Sequence, residues 1–372
     1  MPMRSRAVVL HAFNQPLAVE EIEVDLPRKD EVMVRVVNAG VCRSELPAIQ
    51  GKRSIPLPIV LGHEGAGVVE RIGEDVKAVQ PGDHVILVWR VPCGRCPSCA
   101  IGRPALCEEA AKASAKGSMP DGTLRFSKDG KPVYHFLTAS CFQEYTVVHE
   151  KAVIPIPKDF PLHCAAIMGC GLLTGVGAVI NTAQVRAGST VAVFGAGGVG
   201  LSAILGARLV NARKIIAVDI KDSKLETALS LGATDAVNSA KVDPVKAIRD
   251  LTGGRGVDYA FEVIGLGKVF EQAFEATGRC GTTTMVGSPP PEETFTLSAR
   301  LLYAQERTVK ASYYGSARFY ADIPWLVGLY QAGRLPIDKL ISRHYPMAQY
   351  NEALRALEAG EVARSVLDVT PL

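Results

Sequence analysis

Four cysteines lie close together in the spacing C-x2-C-x2-C-x7-C, at positions Cys93, Cys96, Cys99 and Cys107. Four thiolates this near one another fit a closed tetrahedral zinc site, which contributes folding energy and leaves no position for a substrate. An iron–sulfur cluster shares the first part of the spacing, but its usual C-x3-C-P ending is missing. A nucleic-acid ribbon is disfavoured because the chain carries no basic stripe. The spacing therefore predicts a structural zinc.

A second set of metal-capable residues is scattered along the chain, at Cys42, His63 and Cys170. Spacing alone decides little here, because a single buried cysteine or histidine is usually structural. Glycines beside each of them, in the segments 40–45, 62–65 and 169–171, let the backbone approach a site closely. We interpret these three as candidate ligands. The remaining thiols, which we interpret as buried or incidental, are Cys141, Cys164 and Cys280.

The stretch from Thr190 to Asp219 reads as strand, glycine turn, helix, strand and acid. Such a unit binds a dinucleotide: glycines allow the tight turn, the approach of the pyrophosphate and close packing, and the helix N-terminus favours the phosphates. Asp219 can accept hydrogen bonds from both ribose hydroxyls and would repel a 2′-phosphate, so NAD is favoured over NADP. The alternatives are a membrane span and a site for a flavin or for a nucleotide other than NAD. The turn glycines are Gly195, Gly197, Gly198 and Gly200.

The elements that must position these residues fall into two patterns. Residues 5–90 are short apolar runs separated by glycine and proline, as in a small antiparallel barrel or sandwich. Residues 111–136 read as a polar excursion on the surface. From about Leu172, helix-length and strand-length segments alternate and predict a doubly wound parallel sheet of six strands. Beyond Ser312 the chain is helical and ends in a strand.

The pattern predicts an α/β protein of two domains, the natural number for 372 residues. The first domain comprises residues 1–171, with a zinc lobe at 91–110, and residues 313–372 return to it. Residues 172–312 form the dinucleotide-binding domain. With 48% hydrophobic residues, 21% charged residues and a net charge of +3, the chain reads as soluble and globular, without a nucleic-acid or membrane partner. No signal-peptide core is present, and cytoplasmic localisation is expected.

These segments, in this order, resemble the zinc-dependent medium-chain alcohol dehydrogenases. The resemblance runs almost end to end, through G-V-C-R-S-E at 40–45, G-H-E-G-A-G-V-V at 62–69, P-G-D-H-V at 81–85, G-C-G-L-L-T-G at 169–175 and F-E-V-I-G at 261–265. It implies a β-rich GroES-like catalytic domain beside a Rossmann domain. The segment 117–126 resembles the long loop of the dimeric branch, which implies a homodimer.

The resemblance also implies roles for single residues. Cys42, His63 and Cys170 match the catalytic-zinc ligands, with Glu64 as a nearby carboxylate, so two zinc ions per chain are expected. Glu45 stands where the family usually has aspartate and would orient the zinc histidine, and Ser44 would take the proton of the alcohol. The matched cofactor contacts are Arg43 and Arg364 at the pyrophosphate, Thr174 and Val199 at the nicotinamide, and Asp219 and Lys224 at the adenosine ribose.

The implied activity is reversible hydride transfer between an alcohol and NAD, with zinc acidifying the alcohol. Two departures matter: Pro47 replaces a histidine that often ends the proton relay, and the residues expected for glutathione-dependent formaldehyde oxidation are missing. Substrate-facing positions are apolar or aromatic, which favours primary alcohols with such a tail. An aldehyde reductase, a cofactor-retaining dismutase and a non-catalytic zinc/NAD-binding protein are the alternatives. The substrate-facing residues are Trp89, Phe136, Leu137 and Tyr313.

Overall fold

The structure, a computed structural model, describes residues 2–372 and divides into two compact units. Unit 1 contains the chain up to Cys170 together with Arg318–Leu372, and unit 2 is Gly171–Ala317. The second boundary lies five residues beyond the predicted one. Residues 313–317 stay with unit 2 because the Ser316 hydroxyl hydrogen-bonds that of Thr182 at 2.8 Å. Tyr313 therefore belongs to unit 2 and not to the returning segment.

Unit 1 contains a closed five-stranded barrel and a seven-stranded sheet. The barrel runs in the order β1-β2-β7-β8-β4, and the sheet in the order β10-β6-β5-β3-β18-β17 with β9 beside β3. Apolar side chains such as Ile22, Met33 and Phe126 fill the barrel core. The strands are β1 (Met3–Leu10), β2 (Ala18–Val24), β3 (Glu31–Val41), β4 (Ile59–Val60), β5 (Gly65–Ile72), β6 (His84–Leu87), β7 (Phe126–Lys128), β8 (Lys131–His135), β9 (Tyr145–His149), β10 (Val153–Ile156), β17 (Ile341–Pro346) and β18 (Arg364–Asp368).

Among the helices of unit 1, Leu162–Ile167 packs on β3, β5 and β6 of the seven-stranded sheet. The last two come from the returning C-terminal segment, and β18 then pairs with β3 in antiparallel register, Ser365 opposite Val41. This pairing fixes the discontinuous segment to the first domain, as the sequence predicts. The helices are α1 (Leu46–Ile49), α2 (Pro97–Ala100), α3 (Glu108–Lys116), α4 (Leu162–Ile167), α11 (Phe319–Gln331) and α12 (Tyr350–Glu358).

Unit 2 is the predicted parallel sheet of six strands with connecting helices. The order is β13-β12-β11-β14-β15-β16, so the direction of winding reverses beside β11, where such sheets bind their ligands. The strands are β11 (Thr190–Phe194), β12 (Lys214–Asp219), β13 (Asp235–Asn238), β14 (Val257–Glu262), β15 (Thr277–Met285) and β16 (Thr308–Ala311). The helices are α5 (Leu173–Gly177), α6 (Gly198–Leu209), α7 (Asp222–Leu231), α8 (Pro244–Leu251), α9 (Gly267–Ala276) and α10 (Ala299–Ala304).

One helical run, Leu162–Ala183, is long and apolar enough to cross a membrane by length and composition alone. Its apolar window is 83% buried inside the protein, which is the behaviour of a core helix. Two π-helical turns, Met168–Leu172 and Ala178–Ala183, interrupt it. The glycines at 169–177 concealed this helix at the sequence level.

The interpretation of residues 111–136 as a surface excursion is wrong. The segment contains most of α3, all of β7 and β8, and side chains as buried as Arg125, which is 1% exposed. Glu31 binds the Arg125 guanidinium through both carboxylate oxygens, and Asp121 contacts it at 3.1 Å. Arginine can be buried here because its charge is paired. The polar composition of the segment therefore led to a wrong prediction that it lies on the surface.

Candidate functional site

The four-cysteine cluster is a compact loop around α2. The sulfur atoms of Cys93, Cys96, Cys99 and Cys107 all lie within 4.8 Å of one another, and those of Cys96 and Cys107 are 4.0 Å apart. Four sulfurs around zinc, each about 2.3 Å from the metal, have edges of roughly 3.8 Å. The cluster therefore fits the predicted tetrahedral zinc.

Backbone N–H groups support charge on these sulfurs. The amides of Arg95 and Cys96 donate to Cys93 Sγ, which lowers the pKa of that thiol to about 6. Burial raises the pKa of Cys99 to about 12. A thiol with a low pKa is ionised near neutral pH, and the thiolate is the form that binds a metal.

The second cluster assembles Cys42, His63, Glu64 and Cys170, all of them buried, with ligand atoms within 4.8 Å of one another. Cys42 follows β3, and His63 and Glu64 precede β5. Antiparallel pairing of these strands, with Ala39 opposite Gly65, brings the two segments side by side. Cys170 enters from the π-helical turn, because α4 packs on both strands.

Sulfur, imidazole and carboxylate together make a donor set for zinc that can keep one position open for a substrate oxygen. Cys170 donates to Cys42, and this hydrogen bond lowers the pKa of Cys42 well below its ordinary value while raising that of Cys170.

Glu45 contacts two of these candidate ligands, His63 and Cys42. One carboxylate oxygen lies 2.6 Å from His63 Nδ1, and the other accepts the backbone N–H of Cys42 at 2.8 Å. Binding at Nδ1 leaves Nε2 facing the cluster, which is the orientation that a metal ligand needs. Burial alone would lower the pKa of His63, but the charge of Glu45 raises it to about 9.

Ser44 and Arg364 complete the polar surroundings of the cluster. The Ser44 hydroxyl lies 3.0 Å from Cys42 Sγ and 3.2 Å from His63 Nε2. The Arg364 guanidinium, 4% exposed, forms an ion pair with Glu64. The resemblance implies that Arg364 binds a pyrophosphate; within unit 1 its observed partner is the carboxylate beside the candidate ligands.

Aromatic rings border the histidine. Trp89 and Phe136 meet His63 edge-on, with ring centroids 6.1 and 5.9 Å away. Leu137 is buried next to Phe136, whereas Tyr313 in unit 2 is half-exposed. Of the four predicted substrate-facing residues, two thus contact the candidate metal ligand within unit 1.

The sequence did not lead us to a basic residue that lies beside these aromatic rings. The guanidinium of Arg53 lies over the Phe136 ring, 5.7 Å from its centroid. The available signal was charge: between Glu45 and Glu64 the chain contains Lys52 and Arg53 but no acidic residue.

The glycine turn joins β11 to α6 in unit 2. Gly195 has φ +102°, a conformation that glycine adopts without strain, and a Cβ at Gly200 would overlap the carbonyl oxygen of Gly195. At Gly197, which precedes the helix, a Cβ would meet no atom within 4 Å. The helix N-terminus therefore offers its free N–H groups to an anion.

Asp219 ends β12 beside this turn, as predicted. Its carboxylate accepts the N–H of Ala196 at 2.8 Å and that of Lys221 at 3.1 Å. Each carboxylate oxygen has further lone pairs, so hydroxyl donors can still bind. Around the turn, Thr174, Val199 and Lys224 are half-buried in unit 2, whereas Arg43 is exposed on unit 1.

Comparison with known families matches both halves of this description. Residues 28–158 match the alcohol dehydrogenase GroES-like domain, and residues 198–328 match the zinc-binding dehydrogenase family. The chain belongs to the zinc-dependent medium-chain alcohol dehydrogenase family. The predicted α/β fold, a GroES-like domain with a Rossmann domain, is confirmed.

Solved structures agree over the whole length. An alcohol dehydrogenase zinc-binding domain protein from Burkholderia ambifaria is 41% identical with a TM-score of 0.96, covering 100% of both chains. Benzyl alcohol dehydrogenase from Acinetobacter calcoaceticus is 35% identical with a TM-score of 0.94, covering 99% of this chain and 100% of its own. A candidate zinc-binding dehydrogenase from Sinorhizobium meliloti 1021, bound to NADP, is 25% identical with a TM-score of 0.84, covering 98% and 99%. The protein is thus an oxidoreductase of the alcohol dehydrogenase kind and belongs to a family of zinc-binding dehydrogenases.

Proposed function

We propose that this protein is an NAD-linked alcohol dehydrogenase that interconverts a primary alcohol bearing an apolar or aromatic tail and its aldehyde. The observation that carries the proposal is the buried cluster of Cys42, His63, Glu64 and Cys170 with the Ser44 hydroxyl beside it. The reaction takes alcohol and NAD⁺ to aldehyde, NADH and a proton. Two zinc ions per chain are expected, one in each cluster.

Several residues near the buried cluster have distinct proposed roles in this reaction. Bound zinc would supply the positive charge that acidifies an alcohol, as it lowers the pKa of water from about 15.7 to about 7. Ser44, within hydrogen-bond distance of two ligand atoms, would accept the alcohol proton. Glu45 holds His63 and Cys42 in position. Pro47 cannot carry the proton onward, so we propose that solvent receives it.

The cofactor preference is carried by Asp219. Its carboxylate, held by the amides of Ala196 and Lys221, would repel the 2′-phosphate of NADP and accept ribose hydroxyls from NAD. Asp219→Ala should therefore lower the NAD/NADP ratio of kcat/KM by at least about tenfold. An unchanged ratio would contradict this assignment without affecting the proposed reaction. By resemblance, we propose Thr174, Val199 and Lys224 of unit 2 as cofactor contacts, and we propose the same role for Arg43 and Arg364 of unit 1.

The substrate class is supported by chemistry and by similarity. Trp89 and Phe136 bring aromatic edges to the candidate metal ligand, and such edges pack well against another ring. The similar Acinetobacter protein is a benzyl alcohol dehydrogenase. We also propose that the enzyme does not use a glutathione adduct of formaldehyde.

We further propose a cytoplasmic homodimer. β16 is an edge strand of the unit 2 sheet, and Val309 on it and Tyr303 just before it are exposed. An edge strand with apolar neighbours favours pairing with another strand. All nine cysteines are free, which fits a reducing compartment. Light scattering during size-exclusion chromatography should give twice the chain mass.

The deciding experiment is an NAD-reduction screen over alcohols of graded size, with zinc content measured on the same sample. The proposal expects two zinc equivalents per chain and the fastest NADH formation with an aromatic primary alcohol. Bound NADH that never leaves the enzyme would indicate a dismutase. One zinc equivalent and no NADH with any alcohol would make a non-catalytic zinc/NAD-binding protein the better description.

A further inference from the structure

Two histidines outside both metal clusters lie next to each other in unit 1. The rings of His163 and His344 meet edge-on with their centroids 5.6 Å apart, and both line an open cavity of about 460 Å³. His163 is the second residue of α4, and His344 lies on β17 of the returning segment. Tertiary packing therefore brings together two imidazoles that are far apart in the chain.

A carboxylate orients one of these two rings. Asp368 Oδ1 accepts a hydrogen bond from His344 Nδ1 at 3.0 Å and another from Asn38 Nδ2 at 2.8 Å. Strand pairing fixes this arrangement, because Asp368 on β18 lies opposite Asn38 on β3 and opposite Pro346 on β17. A neutral histidine that donates from Nδ1 to a carboxylate keeps its lone pair on Nε2, as metal-binding histidines usually do.

The spacing of the two rings suits two ligands of one tetrahedral metal. Zinc binds an imidazole nitrogen at about 2.0–2.1 Å, so two rings at a tetrahedral angle have centroids roughly 5.2 Å apart. The observed separation of 5.6 Å is slightly larger. His163 is only partly buried and His344 is exposed, so small side-chain rotations are enough to close the difference.

The charges around the cavity favour a cation. Burial, followed by the charge of His344, lowers the pKa of His163. Its imidazole is therefore neutral near neutral pH, and the neutral ring is the form that binds a metal. Asp368 supplies a negative charge, and among the described residues that line the cavity none is a lysine or an arginine.

We propose that His163 and His344 form a zinc site beyond the two clusters, in which Asp368 orients His344 and water completes the coordination. Its ligands are imidazoles, whereas both clusters contain thiols, so this site should bind zinc more weakly than either cluster. Zinc bound here would join β17 to α4, the helix whose π-helical continuation contains Cys170. The inference does not depend on the proposed reaction.

The test titrates Zn²⁺ into the full chain by calorimetry, after dialysis has removed weakly bound metal. The wild type should bind one zinc equivalent more than His163→Gln or His344→Gln, because a single imidazole does not make the site. Asp368→Asn should keep this equivalent but weaken it by about 10- to 100-fold. His11→Gln is the matched control, since His11 is also exposed and pairs with a carboxylate, that of Glu20, and it should bind as much zinc as the wild type.

Thermal unfolding gives a second measurement of the same site. Excess Zn²⁺ should raise the thermal midpoint more in the wild type than in His163→Gln, because a ligand that binds only the folded state stabilises it. Without added zinc, the two dialysed proteins should unfold at the same temperature. Equal zinc uptake by the wild type and both histidine variants, or an equal rise in midpoint, would overturn this site whatever the alcohol screen shows.

Discussion

The four-cysteine cluster takes its ligands from residues 93–107, whereas the cluster around Cys42 gathers its ligands from positions between 42 and 170. The first is partly exposed and supported by backbone amides; the second is buried and supported by the side chains of Glu45 and Arg364. A local loop that closes around a metal can only stabilise the fold. A cluster built from separate elements, with a hydroxyl beside it, can also react.

Among the variants that test this difference, one that removes a ligand from the buried cluster should have the largest effect on activity. His63→Ala should reduce kcat/KM by more than about 100-fold, beyond the 10- to 100-fold usual for residues that only support a ligand. One of the two zinc equivalents should be lost, as measured by elemental analysis. Cys280→Ser, at an exposed thiol, should retain both zinc ions and full activity. Retained activity in His63→Ala would contradict the assignment of this cluster.

Removing a ligand from the other cluster should act on stability. Cys107→Ser should lower the thermal midpoint by roughly 6–12 °C, corresponding to about 3 kcal/mol for a unit of this size, because metal binding there is folding energy. Differential scanning calorimetry of the zinc-loaded proteins measures the shift. A larger shift in His63→Ala than in Cys107→Ser would reverse the division of roles.

Substitutions of Glu45 test whether the buried cluster depends on this one side chain for its support. Glu45→Gln should weaken zinc binding at that cluster by about 10- to 100-fold, because the ion pair with His63 Nδ1 is lost. Competition with a chelator measures the affinity. Glu45→Asp keeps the charge but shortens the reach to His63 and to the Cys42 amide, so it should fall between. Equal affinity in all three proteins would remove Glu45 from the site.

A group outside both metal clusters, His135, also makes folding stability depend on pH. His135 Nε2 accepts the N–H of Arg125 at 3.0 Å, and burial, followed by the charge of Arg125, lowers the His135 pKa to about 3. The unfolded chain binds this proton near pH 6.5, so folding stability falls as the pH drops from 6.5 towards 3, by up to about 1.4 kcal/mol per pH unit.

His135→Gln keeps an acceptor for the Arg125 amide and removes the proton. The unfolding free energy from urea titrations between pH 7 and pH 4 should then depend less steeply on pH than in the wild type. An unchanged slope in His135→Gln would assign the whole acid sensitivity to the metal clusters and other groups.

Elements with regular apolar patterns were predicted well from the sequence. The segment that contains a buried, paired charge was not. The parallel sheet from β11 to β16 and the return of β18 follow from apolar runs and glycine punctuation. Strands β7 and β8 were missed, because their segment is polar and its buried arginine is acceptable only with Glu31 and Asp121 beside it. Those partners lie at different distances along the chain, so no local pattern reveals them.

The sequence by itself determined the four-cysteine cluster, the glycine turn with Asp219, and the order of the elements, because each depends on neighbours within one short segment. Only the tertiary structure decided that the Glu45 carboxylate binds His63 and Cys42 together, that Arg364 pairs with Glu64, and that Arg53 lies over Phe136. Those contacts depend on strand register and helix packing between distant segments. Spacing along the chain specifies which residues can bind a metal, and packing specifies which charges surround it.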